Sequence, residues 1–221
     1  VGTVDSILKQ EYTDYEVVVK DGGSGDGSLE KLEEYLEQYT GEIKSRVRII
    51  READTGIYEG MNQATRHAKG HYYYFLNCGD YFAGTEALKQ VASAIETEAE
   101  QKTLRYYGNI FDALRKQVVA SNPRIDDFAC YRNVPCHQAC IYHYSLFEER
   151  GYEPQYRVRG DYEHFLWCYF IKKANPKYVD VVLASYEGGG FSETKANRER
   201  SAREHKEITE KYMTKGQLWR Y

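Results

Sequence analysis

Two short apolar runs, each ending in an acid, constrain this chain more than any other feature. The first, Val17-Val-Val-Lys-Asp21, opens onto Gly22-Gly-Ser-Gly-Asp-Gly-Ser28; the second, Tyr72-Tyr-Tyr-Phe-Leu76, stops at Asn77-Cys-Gly-Asp80. An unpaired carboxylate is costly to bury, so an acid at the end of such a run marks the point where a strand leaves the sheet. Between the runs, apolar residues recur at helical spacing. Leu29, Leu32, Tyr35, Leu36 and Tyr39 share one stripe over Ser28–Tyr39, and a helix over Tyr58–Ala68 follows the short strand Val47–Ile50. Strand, acidic loop and helix in repetition predict an α/β fold: a doubly wound, mostly parallel sheet with helices on both faces. Open sheets of this kind bind ligands outside the carboxyl ends of their strands, where these acids fall. Two such ends in series read as a nucleotide-and-metal site.

The remaining pattern extends this layout. Val4, Ile7 and Leu8 mark a short helix, Tyr15–Val19 a strand, and Thr85–Thr97 a helix with Thr85 as its N-cap. Beyond residue 100 the spacing predicts strands at Leu104–Tyr107 and Gln117–Ala120, an irregular stretch over Ser121–Val134, a strand at His137–Tyr142, a helix over Asp161–Ala174 and a strand at Tyr178–Leu183. Gly188-Gly-Gly190 then breaks the chain before a charged helix over Lys195–Met213. Doubly wound folds normally open on a strand. This chain opens on a helix, so the first strand is expected to be missing from it.

The 221 residues, 42% of them hydrophobic, suit one globular domain with a tail. A net charge of −4 argues against a broad nucleic-acid footprint. From Lys195 to Tyr221 there are 8 Lys/Arg and 4 Asp/Glu, or +4, leaving −8 for residues 1–194. That basic tail, ending Leu218-Trp-Arg-Tyr221, reads either as a solvated surface helix or as a peripheral contact with the inner face of the cell membrane. Five cysteines, with no secretory signal ahead of them, point to reduced thiols in the cytoplasm. Cys136-His-Gln-Ala-Cys140 lacks the second ligand cluster of a structural zinc site.

The candidate site residues each carry a structural alternative. Asp21, among Gly22, Gly23 and Gly25, suits a nucleobase NH or a ribose hydroxyl, or an ordinary tight turn. Asp54 ahead of a helix suits capping, yet it stands among Glu52 and Glu59. Asp80 is the sharpest candidate, because a divalent cation on a diphosphate would offset the burial of its charge. Asp161 is an N-cap or a general base for a sugar hydroxyl, with Arg157 and Arg159 nearby to keep it ionised or to bind substrate anions. His137-Gln138 suits contacts to substrate hydroxyls or phosphate.

As a set, these residues are familiar. Ser6-Ile-Leu-Lys-Gln10, Val19-Lys-Asp-Gly-Gly-Ser-Gly-Asp-Gly-Ser28, Glu52-Ala-Asp-Thr-Gly-Ile-Tyr-Glu-Gly-Met-Asn62, Phe75-Leu-Asn-Cys-Gly-Asp80, His137-Gln138 and Gly160-Asp-Tyr-Glu163 stand in the order of the family 2 glycosyltransferases of GT-A fold. The chain resembles most the bacterial members that assemble capsule, exopolysaccharide or lipopolysaccharide. The resemblance implies an inverting transfer from a nucleotide-sugar, with a UDP-sugar as the expected donor, to a glycan or polyprenyl-diphosphate-linked acceptor, with Mn²⁺ or Mg²⁺. It assigns donor binding to Asp21, Gly22, Asp54, Asn77 and Asp80, the metal to Asp80, the acceptor side to His137 and Gln138, and the base to Asp161. It divides the chain into a nucleotide-sugar half (1–100), an acceptor half (101–190) and a C-terminal tail (191–221). Three positions depart from the pattern: Gly79 replaces the first acid of an Asp-Asp pair, Gly22 a second nucleoside-site acid, and Gly160 an acid before the base. Competing readings are a sugar nucleotidyltransferase, disfavoured by the acidic first loop, and a non-catalytic scaffold that binds nucleotide or sugar.

Overall fold

The computed structural model describes residues 1–97, 103–186 and 194–221. In chain order the elements are α1 (Gly2–Leu8), β1 (Val17–Asp21), α2 (Ser28–Leu36), α3 (Gly41–Ser45), β2 (Val47–Arg51), α4 (Ile57–His67), β3 (Tyr72–Tyr74), β4 (Tyr81–Phe82) and α5 (Ala87–Glu96). They continue as β5 (Arg105–Asp112), β6 (Gln117–Val119), α6 (Asp127–Arg132), β7 (Cys140–His143), α7 (Ser145–Glu149), α8 (Gly160–Phe170), β8 (Lys177–Tyr186), α9 (Lys195–Tyr212) and α10 (Lys215–Arg220).

The α/β architecture is the expected one, and its sheet is mixed. β1 and β2 form a parallel pair, while the larger sheet runs β3-β7-β5-β8-β4 with β6 on β5. Among the described residues, β5 and β8 pair in parallel there and the other pairings are antiparallel. β1 and β2 are joined through α2 and α3, the kind of helical crossover a parallel pair needs, while β5 and β6 are joined by a short turn that permits an antiparallel pair. β3 and β4, from the first hundred residues, complete the same sheet as β5, β7 and β8.

Packing explains the local choices. Leu29, Leu32 and Leu36 bury one face of α2 beside Val4 of α1, with Val19, Val47 and Ile49 of β1 and β2 against them. α8 is apolar almost all round, with Tyr162, Phe165, Leu166, Trp167 and Cys168 buried, as befits a helix inside the molecule. It packs among Tyr58 and Met61 of α4, Leu146 and Phe147 of α7, and Ile208 of α9.

Several local expectations change. α5 begins at Ala87 with Glu86 in the cap position, and the Thr85 hydroxyl turns to Glu11 (3.4 Å). The stretch Ser121–Val134 contains α6, capped by the Asp126 side chain on the Ala129 amide at 2.8 Å. β3 stops at Tyr74, short of Leu76, and His137–Ala139 is a 3₁₀ turn with the strand starting at Cys140. The tail is not a solvated rod: Ile208, Glu204 and Thr209 of α9 are buried. Gly188-Gly-Gly190 lies outside the described residues.

Candidate active site

The parallel register of β1 and β2 sets Asp21 opposite Arg51, so their loops leave side by side. The Glu52 amide donates to the Asp21 carbonyl at 3.1 Å. The Asp21 carboxylate accepts the amides of Gly23 (2.9 Å) and Ser24 (3.1 Å), shaping its glycine-rich loop. Bonds from the Ser24 side chain and the Gly23 amide hold its carboxyl below the usual range. Asp54 reaches across to the same point. Its Oδ2 is 2.7 Å from Lys20 Nζ, whose side chain is only 7% exposed, and its Oδ1 accepts the Gly56 amide at 3.1 Å. A methyl at Gly22 would stand 2.4 Å from Asp54 Oδ2, so a side chain there would have to displace the Asp54 carboxylate.

The second acidic turn, Asn77–Asp80, closes with the Asp80 amide on the Asn77 carbonyl at 3.0 Å. Gly79 takes φ +99°, a region that an aspartate enters only at a cost, which accounts for Gly79-Asp80 in place of paired acids. The turn is fixed from α1: Thr3 Oγ1 accepts the Gly79 amide at 3.1 Å and Ser6 Oγ the Phe82 amide at 3.2 Å.

Asp80 and Asp161 are joined by the 3₁₀ turn. In a strand His137 and Gln138 would point to opposite faces; in a 3₁₀ turn successive side chains fan out about 120° apart, so each reaches a different acid. Gln138 Nε2 donates to Asp80 Oδ2 at 2.9 Å, and both residues are buried. An ionised carboxylate only accepts, so His137 Nδ1–H donates to Asp161 Oδ2 at 3.3 Å, and Nε2 lies 3.0 Å from the Asn77 side-chain amide. These two contacts set the orientation of the ring.

Asp161 lies at the second position of α8 with its side chain 21% exposed, enough to be reached by a substrate. Its Oδ1 accepts the Tyr162 amide at 2.8 Å and lies 2.9 Å from the Tyr58 hydroxyl, which also lies 3.0 Å from the Val158 carbonyl oxygen. Burial pushes the carboxyl up; bonds from His137 and Tyr58 outweigh that and hold it below the usual range. A methyl at Gly160 would stand 2.7 Å from the Tyr58 ring. Among the described residues neither Arg157 nor Arg159 pairs with Asp161, contrary to expectation: Arg157 donates to the Thr55 carbonyl (2.6 Å) and Arg159 to Ser201 (2.8 Å).

The structure thus gathers Asn77, Asp80, His137, Gln138 and Asp161 into one bonded chain, and Asp21, Gly22 and Asp54 into a second group at the ends of β1 and β2. Sequence reasoning missed Lys20 and Tyr58. Lys20 directly precedes Asp21 in an apolar strand, which was signal enough; Tyr58 looked like one more member of a helical stripe. Among the described residues no three His, Cys, Asp or Glu side chains gather to hold a metal. A cage made wholly of protein ligands is therefore not built there. The donor set fits a hard divalent cation that takes one carboxylate and completes its shell with phosphate oxygens and water.

The fold is of the GT-A type found in glycosyltransferases. Residues 1–151, more than half of the chain, match the family model described as glycosyl transferase family 2, and the chain belongs to that family. A PGL/p-HBAD biosynthesis glycosyltransferase of Mycobacterium bovis (BCG) is 32% identical over 198 residues, covering 89% of this chain and 75% of the relative. An uncharacterized glycosyltransferase of Mycobacterium tuberculosis is 28% identical over 206 residues, covering 90% and 73%. Among solved structures, S. aureus TarS 1–349 in complex with UDP-GlcNAc superposes with a TM-score of 0.68 at 19% identity, over 90% of this chain and 59% of that one. Mannosyltransferase PcManGT from Pyrobaculum calidifontis, in complex with GDP-Man and Mn²⁺, gives a TM-score of 0.68 at 18% identity, over 95% and 58%. At such identities the likeness shows the fold alone, and this chain spans little more than half of either solved chain.

Proposed function

We propose that this chain transfers a sugar, with inversion, from a nucleotide-sugar to a hydroxyl of a glycan or a polyprenyl-diphosphate-linked acceptor in envelope polysaccharide or glycolipid assembly. The observation that carries the reading is the His137-Gln138 turn bonded to Asp161 on one side and Asp80 on the other. A base and a diphosphate-side acid held in one rigid frame are what a single displacement needs. The acceptor oxygen bonds to the anomeric carbon, the bond from that carbon to the phosphate oxygen breaks, the hydroxyl proton passes to Asp161, and a nucleoside diphosphate leaves. Asp161 suits the base, being ionised at neutral pH and partly exposed. Asp21 and Asp54 would bind the nucleoside, with Lys20 keeping Asp54 in place. Asp80 would hold Mn²⁺ or Mg²⁺, which when bound supplies neutralising charge to the diphosphate.

A UDP-linked donor is favoured by the UDP-GlcNAc complex of a structural neighbour, and GDP-mannose is the natural control. The test is calorimetric titration of UDP and of GDP in Mn²⁺ and then in EDTA. Metal-dependent UDP binding in the micromolar range, lost in Asp80→Ala, supports the reading; a folded protein that binds neither nucleotide returns the scaffold alternative. Asp161→Asn should keep nucleotide binding and lose transfer by about 10²–10⁴-fold. For peripheral membrane contact the candidate surface is α10, where Trp219 is 91% exposed between Lys215 and Arg220. Among the described residues no helix is long and apolar enough to cross a membrane. Flotation with anionic liposomes, abolished by Trp219→Ser, tests this contact; protein that stays at the bottom of the gradient discards it.

A further inference from the structure

Three consecutive amides lie immediately before α8, on the segment that delivers Asp161. All three donate to one carboxylate of α9: Arg157 N to Glu204 Oε1 at 3.0 Å, and Val158 N and Arg159 N to Oε2 at 3.0 and 2.8 Å. Glu204 is 7% exposed. Burying a carboxylate is costly, and three charge-assisted bonds are the compensation it receives here. Its negative charge also stands at the N-terminal end of α8, where the helix dipole favours it.

α9 is not free to give way. Ile208 is fully buried, the His205 ring stacks on Tyr162 with centroids 5.1 Å apart, and Lys211 and Tyr212 bond to Glu163 of α8. The clamped segment in turn governs the site. The Val158 carbonyl and Asp161 Oδ1 lie 3.0 and 2.9 Å from the Tyr58 hydroxyl and compete for its one proton, so the position of Val158 bears on the bond to Asp161. Arg157 reaches the Thr55 carbonyl just ahead of α4.

We propose that Glu204 is a positioning residue for sugar transfer. From a helix beyond the family-matched residues 1–151, it fixes the Arg157–Arg159 backbone so that Tyr58 and Asp161 keep the geometry of the base. The role rests on Asp161 being that base.

The experiment compares the full chain with Glu204→Gln, Glu204→Asp, Asp161→Asn and the Glu204→Gln/Asp161→Asn double variant. Turnover is read as nucleotide release from UDP-N-acetylglucosamine and from GDP-mannose, with water as acceptor, beside UDP affinity and thermal unfolding. Glu204→Gln turns one acceptor oxygen into a donor that faces amide N–H groups. The expected result is a kcat lower by about tenfold to a hundredfold with KM and UDP affinity within about twofold, the signature of a displaced base. Glu204→Asp should recover part of kcat, and Glu204→Gln should add nothing in the Asp161→Asn background. A folded Glu204→Gln protein with wild-type kcat overturns the proposal, as does an undiminished loss in the Asp161→Asn background. Full turnover by Asp161→Asn overturns the base assignment itself, a result no Glu204 variant can imitate. Amide hydrogen exchange on the unaltered chain needs no substrate: Arg157, Val158 and Arg159 should be protected like the interior of α8, and open-loop exchange rates overturn the clamp.

Discussion

At the scale of single residues, the site is governed by what holds Asp161 ionised. Burial acts to protonate it, and His137 and Tyr58 act against burial. Removing His137 leaves burial less opposed, so the carboxyl moves upward. In its proposed role as base Asp161 works only when ionised, so the acidic limb of kcat/KM should shift to higher pH in His137→Ala, while kcat falls about tenfold. A limb that stays in place would show that the bond from His137 is idle. Asp80 was legible in the sequence because it ends an apolar run; Asp161, an N-cap or a base by its own surroundings, was singled out only by the family resemblance. The roles of His137 and Gln138 were not legible, because they depend on a 3₁₀ turn where the pattern reads as strand. Glu204 was out of reach altogether: it stands 45 positions beyond Arg159, in a helix whose sequence reads as solvated, and no local period encodes that contact.

At the scale of elements, α8 and α9 are locked by a charge inside an apolar helix. Glu163 is fully buried and bonds to Arg150 (2.5 Å), Lys211 (2.8 Å) and the Tyr212 hydroxyl. Burial pushes its carboxyl up, and those partners together bring it below the usual range. Deleting one partner of a buried pair leaves the others uncompensated, so Glu163→Ala should lose about 3–5 kcal/mol of stability. By contrast, Asp126→Ala, which removes a cap on α6, should lose about 1 kcal/mol. Urea unfolding checks both, and a Glu163→Ala loss no larger than that of Asp126→Ala would mean the network contributes nothing beyond a cap. The long periodic elements α2, α4 and α8 were readable because one packing stripe, or an apolar run, spans each of them. α6 has six residues, too few for a period to emerge, and its cap is the only sequence mark of it. β5 runs on to Asp112, past the Tyr107 limit read from the sequence, because Gly108-Asn109 interrupts the apolar pattern where its register with β8 shifts.

At the scale of the whole molecule, the packing that builds the site also limits the pH range in which it holds. His164 is fully buried on α8, with Nε2 3.1 Å from the Arg150 carbonyl and its ring stacked on Phe147, centroids 4.5 Å apart. Burial, then the charge of Arg150, brings its pKa down from 6.5 to about 3. The unfolded chain therefore takes up a proton below 6.5 that the folded chain refuses until about 3, and stability falls with pH across that interval. The slope for one such group is about 1.4 kcal/mol per pH unit. His205, brought down chiefly by burial, acts in the same direction. Asp161 and Glu163 have lowered carboxyls, so their contribution is intact above the usual carboxylate range and is lost only below about pH 4. The window between 6.5 and that limit thus belongs to the histidines. The urea midpoint of the unaltered chain should drop steadily from pH 7 to pH 4.5, and His164→Phe, which keeps an aromatic ring in the stack but cannot titrate, should flatten the decline even if it starts lower. A wild-type midpoint that is level over this range, or a variant that declines just as steeply, would mean the imidazole titrates in the fold as it does outside it. Because α8 carries Asp161 three residues before His164, acid that loosens this core also disturbs the setting of the proposed base.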